Sequence, residues 1–344
     1  MTAAPLPLRP ELRRRPWGGR YLQPLWPAAA VDRVAGDGPF GEAWLAGPGA
    51  RLAATSRAGA TLDELAAELG PELVGSVPYG RYGGRFPLLV KLLDAAQPLS
   101  LQVHPDDAYA LRHEGSLGKT EAWWVLAAEP GATVWWGFAR PTSRDEVARA
   151  AAAGALAGLL RVLPVAPGDV VVNPAGTVHA LGAGLTVYEV QQASDLTYRL
   201  DDHGRLGRDG RPRELHLQRG LEVADLRPGA EVAPAPRTTS PGRTELAHTH
   251  AFVLECVEPV PRGAGLPGAG EGRAATWQVG TGSCELLTRL PGRGGGPDRL
   301  LWDGGEAPLA PHATWLLPPG LGVVRLEGGG RYARAFVPED APPA

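Results

Sequence analysis

The chain has 344 residues, of which 21% are charged, and its formal net charge at pH 7 is −3. This balance argues against a basic surface for nucleic acid, and no window approaches the ~18 consecutive apolar residues of a membrane span. The N-terminal segment lacks the apolar core of a secretory signal, and the two cysteines, Cys256 and Cys284, form no disulfide pattern. We therefore expect a cytoplasmic protein that binds neither nucleic acid nor membranes and is a monomer or a weak homo-oligomer.

Helices are predicted in two places, both between runs of strand-like sequence. Residues 61–74 have the apolar spacing of an amphipathic helix, with Thr61 as N-cap and Glu64 at the capping-box position. Residues 142–161 predict a second helix, which Ser143 or the threonine before it would cap. A shorter polar helical turn is expected near 105–114.

Most of the remaining chain is typical of β-strands. The runs 87–105, 121–138 and 162–200 combine dense apolar stretches with alternation, as in the strands of a sandwich or barrel. Residues 201–245 are rich in Gly, Pro and Arg and predict a loop and linker region. The short apolar runs beyond this region, broken by Gly and Pro, are typical of a second β-unit.

These patterns predict a mostly β protein with a few helices and two domains. The first domain spans residues 1–240 and contains the two helical insertions. The second, smaller domain spans residues 241–344 and is a β-sandwich or a related β-barrel.

Three segments place polar residues inside otherwise apolar strands. In LSLQVHPDD, Gln102 and His104 are two residues apart, so they point to the same face of a strand. In LGKTEAWWVL, Lys119 and Glu121 share a face at the entry to a strand, and in the third segment His179 lies between two glycine-containing turns. Because buried polar groups need partners, these segments predict a bound ligand between the strands.

Gln102, His104, Glu121 and His179 together form a plausible site for a divalent transition metal. Two imidazoles and a carboxylate suit one zinc ion per chain with coordination positions left open. A lone strand histidine is more often a hydrogen-bonded core residue, and the joint pattern of three polar insertions is what favours a metal. His248 and His250 also share a strand face, but no carboxylate pattern or third histidine accompanies them, which favours a surface role.

The segments WGG, GEAW, LSLQVHPDD, GKTEAWW, PAGTVHALG and DLTYRLDD occur in the order and spacing of the class I mannose-6-phosphate isomerases. The chain resembles the shorter bacterial form of this family over roughly residues 16–220. The resemblance implies a cupin-type jelly-roll barrel for the first domain. It also implies that Gln102, His104, Glu121 and His179 are the metal ligands and that Arg199 is an active-site residue.

The implied activity is the zinc-dependent interconversion of mannose 6-phosphate and fructose 6-phosphate through a cis-enediolate. A bound zinc ion acts as a Lewis acid, and Arg199 adds a fixed positive charge nearby. The alternative for Arg199 is a surface salt bridge with Asp201 or Asp202. The group that moves the carbon-bound proton stays open among Glu42, Glu189, His104 and a metal-bound water.

The substrate phosphate requires cations, and the candidates are Lys119, Lys91 and the arginines of the 81–85 loop. For Lys91 the alternative is a buried ion pair with Asp94 or Glu42.

Two other functions share this kind of fold. A metal-dependent cupin dioxygenase usually has three histidines and a glutamate, whereas Gln102 stands where the additional histidine is expected. A non-catalytic, sugar-binding regulatory cupin would be expected to lose a ligand or Arg199, and neither is lost. The intact set therefore favours the isomerase.

Overall fold

A computed structural model describes residues 4–53, 55–207, 210–229, 236–261, 272–290 and 297–339. These residues contain 25 strands and six α-helices, which confirms the predicted mostly β class. The strands of the first 201 residues are β1 (Leu6–Arg9), β2 (Glu11–Gly19), β3 (Asp32–Arg33), β4 (Phe40–Ala46), β5 (Arg51–Leu52), β6 (Leu88–Ala95), β7 (Leu101–Val103), β8 (Glu121–Ala128), β9 (Thr133–Phe138), β10 (Leu160–Pro164), β11 (Val170–Asn173), β12 (His179–Leu181), β13 (Leu185–Gln192) and β14 (Tyr198–Asp201).

The later strands are β15 (Arg237–Ser240), β16 (Arg243–His248), β17 (Val253–Val257), β18 (Val260–Pro261), β19 (Arg273–Val279), β20 (Glu285–Arg289), β21 (Asp298–Trp302), β22 (Gly305–Leu309), β23 (Thr314–Leu317), β24 (Gly322–Glu327) and β25 (Tyr332–Phe336). The helices are α1 (Leu62–Leu69), α2 (Pro71–Val74), α3 (Ser76–Tyr82), α4 (Asp107–Glu114), α5 (Arg144–Ala152) and α6 (Leu217–Val223). None of the helices in the described ranges is long and apolar enough to cross a membrane.

Two sheets form the barrel that carries the candidate site. A seven-stranded sheet has the order β11-β8-β13-β6-β4-β2-β3, and a five-stranded sheet has the order β10-β9-β12-β7-β14. Apolar side chains from both sheets pack between them, including those of Trp17, Leu93, Trp123, Leu181 and Val187. This interior holds the two sheets face to face, so that polar residues on their inner faces meet one another.

The later strands form an eight-stranded sheet, β15-β16-β17-β25-β20-β23-β1-β5, and a five-stranded sheet, β18-β19-β24-β21-β22. Their shared core includes Val257, Trp277 and Tyr332. The N-terminal strand β1 belongs to this unit, because Leu6 pairs with Leu316 of β23. A strand from the start of the chain thus completes the later sheet, and a domain boundary near residue 240 stays a prediction.

The predicted helix over 61–74 is two helices in the structure. Thr61 and Glu64 form the expected capping box, with the Glu64 amide donating to Thr61 Oγ1 at 3.2 Å and the Thr61 amide to Glu64 Oε2 at 2.8 Å. The first helix ends at Gly70, whose φ of 53° is left-handed, and Pro71 starts the next one.

The predicted helix over 142–161 is also shorter than expected. Ser143 caps α5, which ends at Ala152 just before Gly154, whose φ is 65°. Among the described residues of the predicted linker are helix α6, which packs against β14, and strand β15.

Candidate metal centre

Four polar or aromatic side chains form a row across the five-stranded sheet. His179 of β12 lies opposite Trp136 of β9 on one side and opposite Gln102 of β7 on the other. Gln102 in turn lies opposite Arg199 of β14. Side chains paired in this way lie within about 5.5 Å of each other at Cβ, so Gln102 lies between His179 and Arg199 on one face.

Glu121 lies at the start of β8 in the seven-stranded sheet, and its carboxylate contacts His179 of this row. Its Oε1 lies 3.1 Å from His179 Nε2, and its Oε2 lies 3.5 Å from His104 Nε2. All three side chains are buried, and their ligand atoms lie within 4.8 Å of one another. Within the described ranges, this is the one cluster of three or more His, Cys, Asp or Glu residues close enough to bind one ion.

Both histidines are oriented by backbone carbonyls. Nδ1 of His104 lies 2.7 Å from the Leu196 carbonyl oxygen, and Nδ1 of His179 lies 2.8 Å from the Thr177 carbonyl oxygen. A carbonyl accepts only, so each Nδ1 carries the proton and each Nε2 presents its lone pair to the centre. This is the arrangement found at metal-binding histidines, where a backbone carbonyl fixes the tautomer.

Two buried atoms at the centre have no hydrogen-bond partner among the described residues: His179 Nε2 and Glu121 Oε2. Lys119 Nζ lies 3.0 Å from that carboxylate oxygen and 3.2 Å from His104 Nε2, at ion-pair and hydrogen-bond distance respectively. Leaving buried polar atoms unpaired costs about 1–3 kcal/mol each. A divalent cation would satisfy both atoms, so the donor set fits a metal such as zinc.

The charges around the centre keep the ligands in their binding forms. Burial raises the pKa of Glu121, but the cation of Lys119 and the imidazole of His104 outweigh it and hold the pKa well below its usual range. Burial, and then the charge of Lys119, lower the pKa of His104 to about 3. The carboxylate is therefore ionised and the imidazole neutral at pH 7, as metal coordination requires.

A cavity of about 850 Å³ opens beside this centre. Gln102 and Lys119 line it at the metal end, and Leu93 and Trp17 contribute an apolar wall. The remaining lining has an excess of cations, Arg13, Arg14, Arg15, Lys91, Arg199 and Arg213, over the carboxylates of Glu11, Glu42, Glu189 and Asp195. A cavity of this charge attracts an anionic ligand.

Lys91 lines the cavity and forms a buried ion pair with Glu189, whereas Asp94 or Glu42 was expected. Its Nζ lies 3.1 Å from Glu189 Oε1 and donates to Gln191 Oε1 at 2.7 Å. The expected pair with Asp94 is wrong because Asp94, three positions along β6, faces the other side of the sheet and accepts from the Tyr21 amide.

Glu42, the other expected partner of Lys91, is paired with Arg15 instead. Nε and Nη2 of Arg15 donate to its two carboxylate oxygens at 2.7 Å each, and Trp44 Nε1 adds a third bond. Lys91 contributes charge to Glu42 without a direct contact. The carboxyl groups of Glu42 and Glu189 thus have different surroundings, which matters for their roles below.

Arg199 lines the cavity and makes no ion pair with Asp201 or Asp202, so the salt-bridge alternative is wrong. Asp202 is paired instead with Arg205 and Arg213. Nη1 of Arg199 donates to the Glu214 carbonyl at 2.8 Å, and its buried Nε has no partner among the described residues. Among the described residues, no carboxylate lies within ion-pair distance of its guanidinium, although Asp202 and Glu214 act on it at longer range.

The arginines of the 81–85 loop do not line the cavity, contrary to expectation. Nη1 and Nη2 of Arg81 donate to backbone carbonyls of His250 and Pro338. Arg13, Arg14 and Arg213 line it instead, and sequence reasoning did not identify them. Alternation in the run RRR before PWGG would place Arg13 and Arg15 on one face, but β2 is irregular between Arg13 and Arg14, and all three arginines line the cavity.

The second histidine pair shows no ligand arrangement. His248 Nδ1 lies 3.4 Å from Glu245 Oε2 at an exposed position, and no metal cluster of the described residues includes His248 or His250. Their expected surface role is consistent with this.

The fold and the site together define a cupin-type β protein with a candidate metal centre at the end of a cationic cavity. Residues 6–119 match the family model described as the type I phosphomannose isomerase catalytic domain. The chain is 39% identical over 237 residues to a mannose-6-phosphate isomerase of Streptococcus mutans, covering 68% of this chain and 72% of that protein. It is also 39% identical over 231 residues to the mannose-6-phosphate isomerase ManA of Bacillus subtilis, covering 66% and 70% respectively.

Solved structures extend the similarity to nearly the whole chain. The crystal structure of mannose 6-phosphate isomerase from Bacillus subtilis superimposes with a TM-score of 0.80 at 28% identity, covering 96% of this chain and 99% of that one. A putative mannosephosphate isomerase from Archaeoglobus fulgidus shares the fold, with a TM-score of 0.72 at 22% identity. The chain therefore belongs to the type I phosphomannose isomerase family, a family of metal-dependent aldose–ketose isomerases.

Proposed function

We propose that this chain is a zinc-dependent isomerase that interconverts mannose 6-phosphate and fructose 6-phosphate through a cis-enediolate. The observation that carries the proposal is the buried cluster of His104, Glu121 and His179 at the end of a cationic cavity, in which His179 Nε2 has no hydrogen-bond partner among the described residues. Family membership supplies the substrate, since the similar proteins are named for it. A cytoplasmic location and a monomeric or weakly associated state remain predictions.

His104, Glu121 and His179 would hold the zinc ion, and Gln102 would be the fourth ligand. Bound there, zinc supplies Lewis-acid stabilisation of negative charge on the sugar oxygens. Gln102 in place of a further histidine disfavours an iron dioxygenase. The intact set of ligands disfavours a purely regulatory sugar-binding protein.

Arg199 is the catalytic residue that stabilises the developing enediolate. It lies in the row next to Gln102, and its Nε is a buried donor without a protein partner. A donor fixed before the reaction stabilises charge that appears only in the transition state, which is the effect that raises kcat.

Lys119 and Lys91 are the proposed substrate-binding cations. Both line the cavity, although each already faces a carboxylate, Glu121 for Lys119 and Glu189 for Lys91. The arginines around them add to the positive potential that would attract the phosphate dianion.

Glu189 is the better candidate for moving the carbon-bound proton. Burial raises the pKa of Glu189, with Lys91 acting in the opposite direction, and a base with a raised pKa is better matched to proton transfer near neutral pH. Burial also raises the pKa of Glu42, but Arg15 outweighs it and lowers that pKa to about 2. Glu42 is therefore the weaker base of the two, although both oxygens of Glu189 also have partners, Oε1 with Lys91 at 3.1 Å and Oε2 with Trp123 Nε1 at 2.8 Å.

The test is an assay of fructose 6-phosphate formation from mannose 6-phosphate, before and after treatment with a chelator. Activity that disappears on chelation and returns on addition of zinc would support the proposal. A zinc-replete protein that binds mannose 6-phosphate without converting it would point to the regulatory alternative. Full activity after complete metal removal would exclude zinc dependence.

A further inference from the structure

Glu214 and His216 form hydrogen bonds with both the backbone and the side chain of Arg199. The Arg199 amide donates to Nδ1 of His216 at 3.2 Å, and the His216 amide donates to the Arg199 carbonyl at 2.7 Å. Nη1 of Arg199 donates to the Glu214 carbonyl at 2.8 Å. These three bonds fix both the strand position of Arg199 and the direction of its guanidinium.

We propose that His216 is a positioning residue for Arg199, acting through the acceptor Nδ1 of its neutral imidazole. This inference rests on the proposed function, in which Arg199 touches the reacting sugar. His216 itself does not line the cavity, so it acts only through Arg199.

The tautomer of His216 follows from its contacts. Because the Arg199 amide can only donate, Nδ1 must carry a lone pair, and the proton of the neutral ring is on Nε2. Nε2 lies 4.0 Å from Glu214 Oε2 on the side towards solvent. A second proton on Nδ1 would place two N–H groups against each other and break the bond.

The surroundings of His216 favour the neutral ring. Burial, and then the charge of Arg199, lower the pKa of His216. Arg219 acts in the same direction, whereas Glu214 and Glu114 oppose it. The ring also lies 6.2 Å from that of Tyr198, the residue before Arg199 on β14. The acceptor is therefore present at neutral pH, where the isomerase would work.

Helix α6, within the predicted linker, lies directly after His216 and connects it to the strand that carries Arg199. The helix begins at Leu217, and Gly220 packs against Leu200 on that strand. The Gly220 amide donates to the His216 carbonyl at 2.8 Å. Helix α6 thus positions His216, and His216 in turn positions Arg199. A misplacement of about 1 Å in a charge-stabilising group can cost roughly 100-fold in rate.

The experiment compares His216→Asn with His216→Leu in the zinc-loaded protein. Oδ1 of asparagine can occupy the place of Nδ1 and accept the same amide, whereas leucine fills the space without an acceptor. We expect His216→Leu to lower kcat about tenfold or more with little change in KM, and His216→Asn to retain kcat within about threefold. His248→Leu, at an exposed position, is the matched control and should leave kcat unchanged.

Thermal unfolding and zinc content are measured on the same samples, so that misfolding is recognised. Equal kcat for His216→Leu and the wild type would overturn the inference, as would equal losses in both variants accompanied by equal loss of stability. Nitrogen NMR of the wild-type histidines provides a readout independent of turnover: Nε2–H is expected for His216, and Nδ1–H would contradict the inference. An inactive wild type would refute the proposed function, and the tautomer would still decide the role of His216.

Discussion

The imidazole rings of His104 and His179 lie with their centroids 4.9 Å apart and their planes tilted by 52°, with both Nε2 atoms towards Glu121. His179 lies on β12 and His104 directly follows β7, the neighbouring strand of the same sheet, and a backbone carbonyl accepts from Nδ1 of each ring. The Trp123 ring lies against His179 in an edge-to-face arrangement at 5.3 Å. These contacts orient both Nε2 atoms towards the Glu121 carboxylate.

Gln102 is proposed as the fourth ligand because it lies directly opposite His179. Replacing it with alanine removes one oxygen donor and should weaken zinc binding by at least about tenfold, since even second-shell losses at metal sites cost that much. Titration with a fluorescent zinc indicator measures this. Gln278→Ala, at an exposed position, is the control. An unchanged affinity for the Gln102 variant would remove it from the ligand set.

The buried pair of Lys91 and Glu189 predicts a large cost for removing one partner. Lys91→Met leaves an uncompensated carboxylate and should destabilise the protein by about 3–5 kcal/mol, measured by urea unfolding. Adding Glu189→Gln should recover much of that stability, because the double variant has no buried unpaired charge and leaves only the exposed Asp195 without Lys91. Activity should stay low in both variants, since both residues are proposed to act on the substrate. A double variant as unstable as the single one would contradict this account of the pair.

A second buried cluster lies in the unit formed by the later strands. Arg334 is paired with Glu255 and Glu285, and Trp277 Nε1 donates to Glu285 at 2.8 Å. Arg334→Met should cost about 3–5 kcal/mol by leaving the buried Glu285 carboxylate without its cation, whereas Glu255 keeps its pair with Arg243.

The matched control is Arg237→Met, which breaks an exposed pair with Glu245 and should cost less than about 1 kcal/mol. Similar losses of unfolding free energy in the two variants would show that burial does not determine how much these ion pairs contribute to stability.

The Arg15–Glu42 pair predicts a dependence of stability on pH. The pKa of Glu42 is lowered from 4.5 to about 2, so its contribution is complete above about pH 4.5 and is lost as the pH falls towards 2. The difference in unfolding free energy between the wild type and Glu42→Gln should therefore shrink across this window. Glu68→Gln, which breaks an exposed pair with Arg57, serves as control. A difference that stays constant from pH 6 to pH 2 would contradict the prediction.

The local part of the site could be predicted from the sequence because it depends on short spacing. Lys119 directly precedes β8 and Glu121 is two residues further on, and their charged atoms lie 3.0 Å apart on the same side of the chain, as the spacing predicted. The capping box of Thr61 and Glu64 was predictable for the same reason. The proposed role of Arg199 as an active-site residue came from the family resemblance.

Features that depend on pairing between distant strands could not be read from the sequence. Lys91 was expected to pair with Asp94 or Glu42, but the partner is Glu189, which the register of β13 against β6 places directly opposite. The pairing of β1 with β23 was likewise invisible, since no local pattern specifies which strand edge it joins. Register is a tertiary property, and the partners of buried charges follow from it.

The central claim is that His104, Glu121 and His179 bind one zinc ion, and metal analysis tests it most directly. Zinc per chain is measured by mass spectrometry after dialysis for the wild type, His179→Ala and His250→Ala. We predict one zinc per chain in the wild type, none in His179→Ala together with loss of activity, and an unchanged value in His250→Ala. Stoichiometric zinc and full activity in His179→Ala would contradict the account.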